Sequence, residues 1–240
     1  MPVAIITGAS RGLGRATARA LTERNHAVAG EKWSLVLDAR GAADLEEVVA
    51  ELSGHSTVVG VPGDVASTLH RDELVRRAVE LGDLTLLVNN ASVLGPSPQP
   101  TLADYPLRTL EEVYRVNVLA PLALIQRALP ALRATGGTIV NITSDAAVEG
   151  YEGWGGYGSS KAALEQLTNV LAAEEPGLRV HRFDPGDMRT RMHQEAFPGE
   201  DISDRPEPEE QAVPALVRLI EQAWPSGRYR VSDLLEEVGR

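Results

Sequence analysis

Tyr157 and Lys161, in "YGSSK", stand four residues apart where a helical pattern begins, so both side chains project from one helix face. A free phenol, with a pKa of about 10, exchanges protons too reluctantly near neutrality to serve as an acid or base. An ammonium held beside it favours the phenolate and draws that value down, which makes the pair a candidate proton donor and acceptor. A second candidate lies at the opposite end of the chain. In "TGASRGLG", Thr7 to Gly14, the residues Gly8, Ser10 and Gly12 spell G-x-S-x-G, a turn that can mount a nucleophilic serine. In the same stretch Gly8, Gly12 and Gly14 spell G-x-x-x-G-x-G, a loop that can cradle a phosphate.

The serine reading needs an acid and then a histidine delivered from later strands. His181 and His193 follow, but only Asp184 and Asp187 lie close to them, and a nucleophile on the first strand of so short a chain is unusual. The phosphate reading accounts for more of the stretch. Gly8 permits a tight turn, Gly12 removes a side chain where backbone must approach a ligand, and Gly14 lets the helix start pack on the strand. Free amides and the positive end of the helix dipole then face a pyrophosphate.

The elements that must carry these groups alternate along the chain. Short apolar runs read as strands at Val3 to Thr7, Ser34 to Asp38, Thr57 to Pro62, Thr85 to Asn89, Thr138 to Thr143, Arg179 to Asp184 and Arg228 to Val231. Helical patterns fall at Arg11 to Arg24, Ala43 to Leu52, Thr68 to Leu81, Thr109 to Ala134 and Tyr157 to Glu174, and another resumes around Pro214. Continuously apolar strands such as "GTIVNIT" suit a parallel sheet covered on both faces. The expectation is a doubly wound parallel α/β sheet, a Rossmann fold of about seven strands in a single domain spanning 1–240. The polar, proline-rich stretch Phe197 to Glu210 reads as either a lid or an acidic surface loop, and 188–212 as a small substrate-covering region.

Bulk properties narrow the function. The chain has 240 residues, 43% of them hydrophobic, a formal net charge of −11 and no cysteine. That charge, with no basic block to reverse it locally, argues against a nucleic-acid partner. Without cysteine there is neither a disulfide framework nor a thiolate metal site, and no metal site is read elsewhere. No apolar run approaches the roughly 18 residues needed to span a bilayer, and no secretory leader opens the sequence, so no membrane association and a cytoplasmic location are expected.

The motifs, taken together, resemble the short-chain dehydrogenase/reductase family over nearly the whole length. The glycine loop Thr7 to Gly14 matches its T-G-x-x-x-G-x-G, and Asn89, Asn90 and Ala91 match its N-N-A stretch. Asn117 matches an asparagine of the long central helix, Ser144 the serine after the fifth strand, and Tyr157 to Lys161 its Y-x-x-x-K. Pro185, Gly186 and Thr190 match P-G-x-x-x-T. The resemblance implies an oxidoreductase moving a hydride between a nicotinamide cofactor and a carbonyl or secondary alcohol. Protein side chains do not donate hydride, so the cofactor must, while a positioned acid supplies the proton. By that resemblance Tyr157 is the general acid/base, Lys161 holds the nicotinamide ribose and tunes the tyrosine, and Ser144 hydrogen-bonds the substrate oxygen. Asn117 anchors a water in a proton relay.

The resemblance also places the cofactor. Ser10, Leu13 and the glycines line the diphosphate, Asp64 and Val65 the adenine, Asn90 and Ala91 the adenosine side of the cleft, and Thr190 the carboxamide. Ala39 stands where an NAD-selecting acid is usual, with Arg40 after it and Arg11 in the glycine loop; these favour NADP(H) over NAD. Asp38 falls one residue early, and strand alternation turns it to the other side. The connection from Gly14 to Arg40 is longer than usual in the family, with an inserted loop in "RNHAVAGEKWS". Val93, Leu94, Ala146, Val148, Tyr151, Trp154, Met188 and Met192 would border the nicotinamide, so a mostly apolar small-molecule substrate is expected. A homodimer or homotetramer is implied by resemblance only, and the ending "GRYRVSDLLEEVGR" departs from the family's usual tail. A non-catalytic NADP(H)-sensing regulator on the same fold is the alternative, although such proteins often lack the tyrosine or lysine.

Overall fold

In a computed structural model that describes residues 1–26 and 30–235, seven strands form one parallel sheet in the order β3-β2-β1-β4-β5-β6-β7. They are β1 (Pro2–Ile6), β2 (Ser34–Ala39), β3 (Val58–Pro62), β4 (Asp83–Asn89), β5 (Thr138–Ile142), β6 (Arg179–Asp184) and β7 (Gly227–Arg230). The chain runs outward from β1 to β3 and then returns to place β4 on β1's other side. In open α/β sheets the crevice at the carboxyl ends of the strands beside such a switch is where ligands bind.

The two-residue strand repeat divides the core into two layers. Ala4 and Ile6 of β1 pack with Leu35 and Leu37 against α1 (Gly12–Thr22), α2 (Ala42–Leu52) and a helix near the carboxyl end. Val3 and Ile5, one residue out of phase, pack with Val36, Leu87 and Ile139 against α3 (Thr68–Leu81) and the long central helix. That central helix has three parts. α4 (Leu107–Tyr114) passes through a π-helical turn, Arg115–Leu119, into α5 (Ala120–Thr135), so Asn117 sits at a break in the regular ladder. Then come α6 (Gly155–Glu174), α7 (Arg191–Ala196), α8 (Ala212–Glu221) and α9 (Val231–Leu235).

Doubly wound topology is what the apolar strand runs required, and strand ends move by at most two residues from their expected places. Two short helices, α7 and α9, were not expected: each spans little more than one turn, too few residues to show a helical period. Pro214 is the third residue of α8, within the first turn, where its missing N–H removes no helical bond. The long connection before β2 closes on itself through an Asn25–Lys32 bridge and the His26 N–H to Glu31 carbonyl bond. Residues 27–29 of the expected insertion, and 236–240 of the atypical tail, lie outside the described residues.

His181 on β6 is fully buried against the Tyr229 ring, and neither of its ring nitrogens has a hydrogen-bond partner among the described residues. Burial, with Arg179 beside it, pushes its pKa down to about 4. The unfolded chain therefore takes up this proton as pH falls below about 6.5 while the fold resists until about 4. Stability tied to His181 is complete above 6.5 and drains away through that window. Denaturant unfolding at pH 7 and pH 4.5 is expected to show the difference shrink by about 2 kcal/mol in His181→Leu. An unchanged difference would show that the histidine is not held neutral.

Candidate active site

The glycine stretch forms the turn from β1 into α1. Gly8 has φ 65°, and a Cβ on Gly14 would stand 2.4 Å from the Gly8 carbonyl oxygen, so the helix start can pack this closely only without a side chain there. The end of β4 is tied to the same turn. Thr7 Oγ1 accepts the Asn90 and Ala91 N–H groups, each at 3.0 Å, and Asn90 Nδ2 donates to the Thr7 and Gly8 carbonyls at 2.9 and 3.1 Å. No side chain caps α1, and no acid occupies its first turn. An uncapped helix start with Arg11 at its N-cap fits a diphosphate, which such amides and the helix dipole hold.

From this turn a cleft of about 1290 Å³ runs along the carboxyl ends of the strands. Gly8, Ser10, Arg11, Gly12 and Leu13 line it at one side; Ala39 and Arg40 follow β2, and Asp64 and Val65 follow β3. Asn90 and Ala91 form its floor after β4, and Pro185, Gly186 and Thr190 close it after β6. Gly14 lies beneath the wall. Asn117 also lies behind it, 1% exposed, its Oδ1 accepting Val93 N–H at 2.9 Å and its Nδ2 donating to Val93 O at 2.9 Å and Ser160 Oγ at 3.0 Å.

Ser144, Tyr157 and Lys161 converge on the same cleft. Ser144 follows β5 by two residues and caps a 3-10 turn; its Oγ accepts Ala146 N–H and donates to Asp145 Oδ1 at 2.8 Å. Tyr157 and Lys161 sit one turn apart near the start of α6, 8% and 2% exposed. Lys161 Nζ donates to the Ile142 carbonyl at 2.9 Å and lies 5.4 Å from the Tyr157 ring centroid. Burial pulls the lysine down to about 8.

The tyrosine departs from the sequence expectation. Its pKa is raised, first by burial and then by the negative charges of Asp184 and Asp145. In the ligand-free protein desolvation of the phenol outweighs the charge effect expected from the spacing. The one group pulling the phenol downward is the Ser92 side chain, whose Oγ also donates to Asn117 Oδ1 at 3.1 Å. Ser92 is a residue the motif reading missed; its only signal was its place directly after "NNA".

Asp184 is likewise embedded. Its carboxylate meets Gly186 N–H at 3.1 Å and Arg228 Nη2 at 2.9 Å, while Arg228 Nε reaches Glu165 at 2.8 Å and Thr143 Oγ1 donates to that glutamate at 2.7 Å. Strand β7 is thus tied to the segment holding Ser144. Of the expected substrate-side residues, Val93, Leu94, Trp154, Met188 and Met192 line the cleft, whereas Val148 and Tyr151 face outward at 60% and 46% exposure. Both are held away by the 3-10 turn. Ala146 is buried behind the wall with Leu94 and Tyr157.

Neither histidine that the serine-nucleophile reading looked to forms a hydrogen bond with Ser10 among the described residues. His181 is sealed against Tyr229, and His193 on α7 packs on Phe197 near Asp187. Among the described residues no group of His, Asp and Glu is placed to hold a metal ion, and no helix is long and apolar enough to cross a membrane.

A glycine turn at a sheet's switch point, opening on an uncapped helix and one long cleft, defines the class of dinucleotide-binding α/β proteins. A family model described as short chain dehydrogenase matches residues 2–201. The chain belongs to the short-chain dehydrogenase family, oxidoreductases that use nicotinamide cofactors. It is 32% identical over 201 residues to sepiapterin reductase of Bos taurus, covering 79% of this chain and 74% of that one. It is 34% identical over 200 residues to the rhamnolipids biosynthesis 3-oxoacyl-[acyl-carrier-protein] reductase of Pseudomonas aeruginosa, covering 79% and 74%. Among solved structures it resembles an alcohol dehydrogenase from Thermococcus sibiricus complexed with 5-hydroxy-NADP, with a TM-score of 0.84, 29% identity, and 96% and 95% of the two chains covered.

Proposed function

We propose that this chain moves a hydride between NADP(H) and the carbonyl or secondary alcohol of a mostly apolar small molecule. The observation that carries the reading is the meeting of Ser144, Tyr157 and Lys161 on the wall of the cleft whose other end is the glycine turn. The cofactor supplies the hydride. Tyr157 gives or takes the proton on the substrate oxygen, Ser144 hydrogen-bonds that oxygen, and Lys161 holds the nicotinamide ribose. Asn117 anchors a relay water from behind the wall, with Ser92 between it and the phenol. Asp64 and Val65 take the adenine, Asn90 and Ala91 the adenosine side, and Pro185, Gly186 and Thr190 the nicotinamide end.

Two charges support NADP(H) over NAD(H). Arg11 and Arg40 both line the cleft, and among the described residues neither forms an ion pair. A guanidinium near a 2′-phosphate contributes on the order of 4 kcal/mol before desolvation reduces it. The archaeal alcohol dehydrogenase, a complex with 5-hydroxy-NADP, accords with this. Apolar Leu94, Trp154, Met188 and Met192 support the substrate class, with 188–212 as its cover: Phe197 packs on Trp154 at 5.8 Å and Arg189 N–H bonds the Pro206 carbonyl. The domain is read as single, the location as cytoplasmic, and the assembly as a homodimer or homotetramer, to which the exposed apolar Leu107, Leu119 and Val170 lend a surface.

Assaying a panel of apolar ketones and aldehydes by loss of absorbance at the reduced nicotinamide band tests this reading. Turnover is expected with NADPH on at least one. Tight NADPH binding with no turnover across the panel and the corresponding alcohols would favour the cofactor-sensing alternative.

A further inference from the structure

Asp38 is the next-to-last residue of β2, beside the cleft residues Ala39 and Arg40, and it lines the cleft itself. Strand alternation alone sends its carboxylate away from the cofactor, but the structure gives it two specific partners. Its Oδ2 accepts the Gly8 N–H at 3.3 Å, and its Oδ1 lies 2.6 Å from His70 Nε2. The carboxylate and the imidazole are 3% and 8% exposed. A carboxylate is acceptor-only when ionised, so the imidazole proton belongs on Nε2. The ring is seated against Gly63, where a Cβ would stand 2.3 Å from Nδ1, so any larger residue there would displace it.

A carboxylate free at the end of β2 would repel a 2′-phosphate and compete for the ribose hydroxyls. Bound by two donors, it is turned down onto the glycine loop. Of the other charged groups near this corner, Asp44 lines the cleft in the first turn of α2, Arg15 and Arg19 pair with Glu51, and two more are tied to groups beside them. Asp64 accepts the Ala66 N–H at 2.8 Å, and Arg71 donates to the Val65 carbonyl at 2.7 Å and to Thr68 Oγ1 at 3.1 Å.

We propose that His70 is a positioning residue for cofactor choice: it pins the Asp38 carboxylate onto Gly8, leaving Arg11 and Arg40, unpaired among the described residues, as the cations that meet the adenosine ribose. The inference rests on the NADP(H) reading above, but it concerns the change in the NADPH:NADH affinity ratio rather than the ratio itself.

Fluorescence titration of wild type, His70→Ala, Asp38→Asn and the double variant with NADPH and with NADH tests it. His70→Ala is expected to lower the NADPH:NADH affinity ratio about tenfold by freeing the carboxylate. Asp38→Asn is expected to leave the ratio no lower than wild type, and the double variant to restore it, since no carboxylate is left to free. If His70→Ala does not fold, His70→Leu fills the seat without a donor and serves in its place. Equal weakening of both cofactors, or a double variant as low as the single, would overturn the proposal. Wild type binding NADH more tightly than NADPH would instead overturn the cofactor reading, while the change in ratio on losing His70 still decides the role of that residue.

Discussion

Tyr157→Phe is expected to lower turnover by a factor of about 10³ while leaving NADPH binding within a few fold. The substitution removes one oxygen and keeps the ring that packs on Trp154 at 5.8 Å and beside Leu94 and Ala146. The cleft wall should therefore survive. What disappears is the proposed proton donor for the substrate oxygen, a loss felt where charge develops, in kcat rather than in ground-state affinity. Because burial raises the phenol in the ligand-free protein, the donor starts fully protonated near neutrality. Steady-state rates beside a fluorescence titration separate the two quantities. A variant that turns over normally would remove Tyr157 from the assigned role, and one that no longer binds NADPH would mean the ring's structural part had been underestimated.

Lys161→Met is expected to move activity and stability in opposite directions. Turnover should fall by a factor of about 10² or more, since the residue proposed to hold the nicotinamide ribose is gone. Stability at pH 7 should rise by about 2 kcal/mol. The fall in the lysine pKa from 10.5 to about 8 corresponds to roughly 3 kcal/mol of burial cost on the charged form, and losing the bond to the Ile142 carbonyl returns about 1 kcal/mol of that. The sign depends on pH. The folded protein releases this proton near 8 and the unfolded chain near 10.5, so the cost applies in full below 8 and fades as pH climbs through that interval. The advantage of Met should thus be largest at pH 7 and absent by pH 10 in denaturant unfolding. A variant destabilised at pH 7 but not at pH 10 would show that the ammonium stabilises the fold. A gain in stability with a loss of function is what a buried charge kept for chemistry produces.

Much of this arrangement was readable in the sequence because it rests on local rules. A glycine turn between strand and helix, a tyrosine and lysine one helical turn apart, and apolar strands in β-α rhythm each carry their own period or spacing. The parts that stayed hidden are long-range. The bond from His70 to Asp38 joins residues 32 apart, and the Arg228 bond to Asp184 joins residues 44 apart; neither pair has a spacing that marks it. The tyrosine's environment was misjudged for the same reason. Sequence proximity put the Lys161 charge beside the phenol, but the amount of apolar surface around it, and the Asp145 and Asp184 carboxylates from two other strand ends, appear only once the sheet is assembled. Val148 and Tyr151 were placed toward the cleft because they follow Ser144 closely, whereas the 3-10 turn at Asp145–Ala147 carries them to the surface.

The claim on which the account turns is transfer of a hydride from a nicotinamide held in this cleft to a carbonyl carbon. Incubating the protein with an accepted ketone and NADPH carrying deuterium at both C4 positions, followed by mass spectrometry of the alcohol, reads that transfer directly. The account expects one deuterium on the carbinol carbon in wild type and almost no labelled alcohol from Tyr157→Phe in the same interval. Alcohol formed without deuterium, or labelled equally fast by the phenylalanine variant, would contradict it.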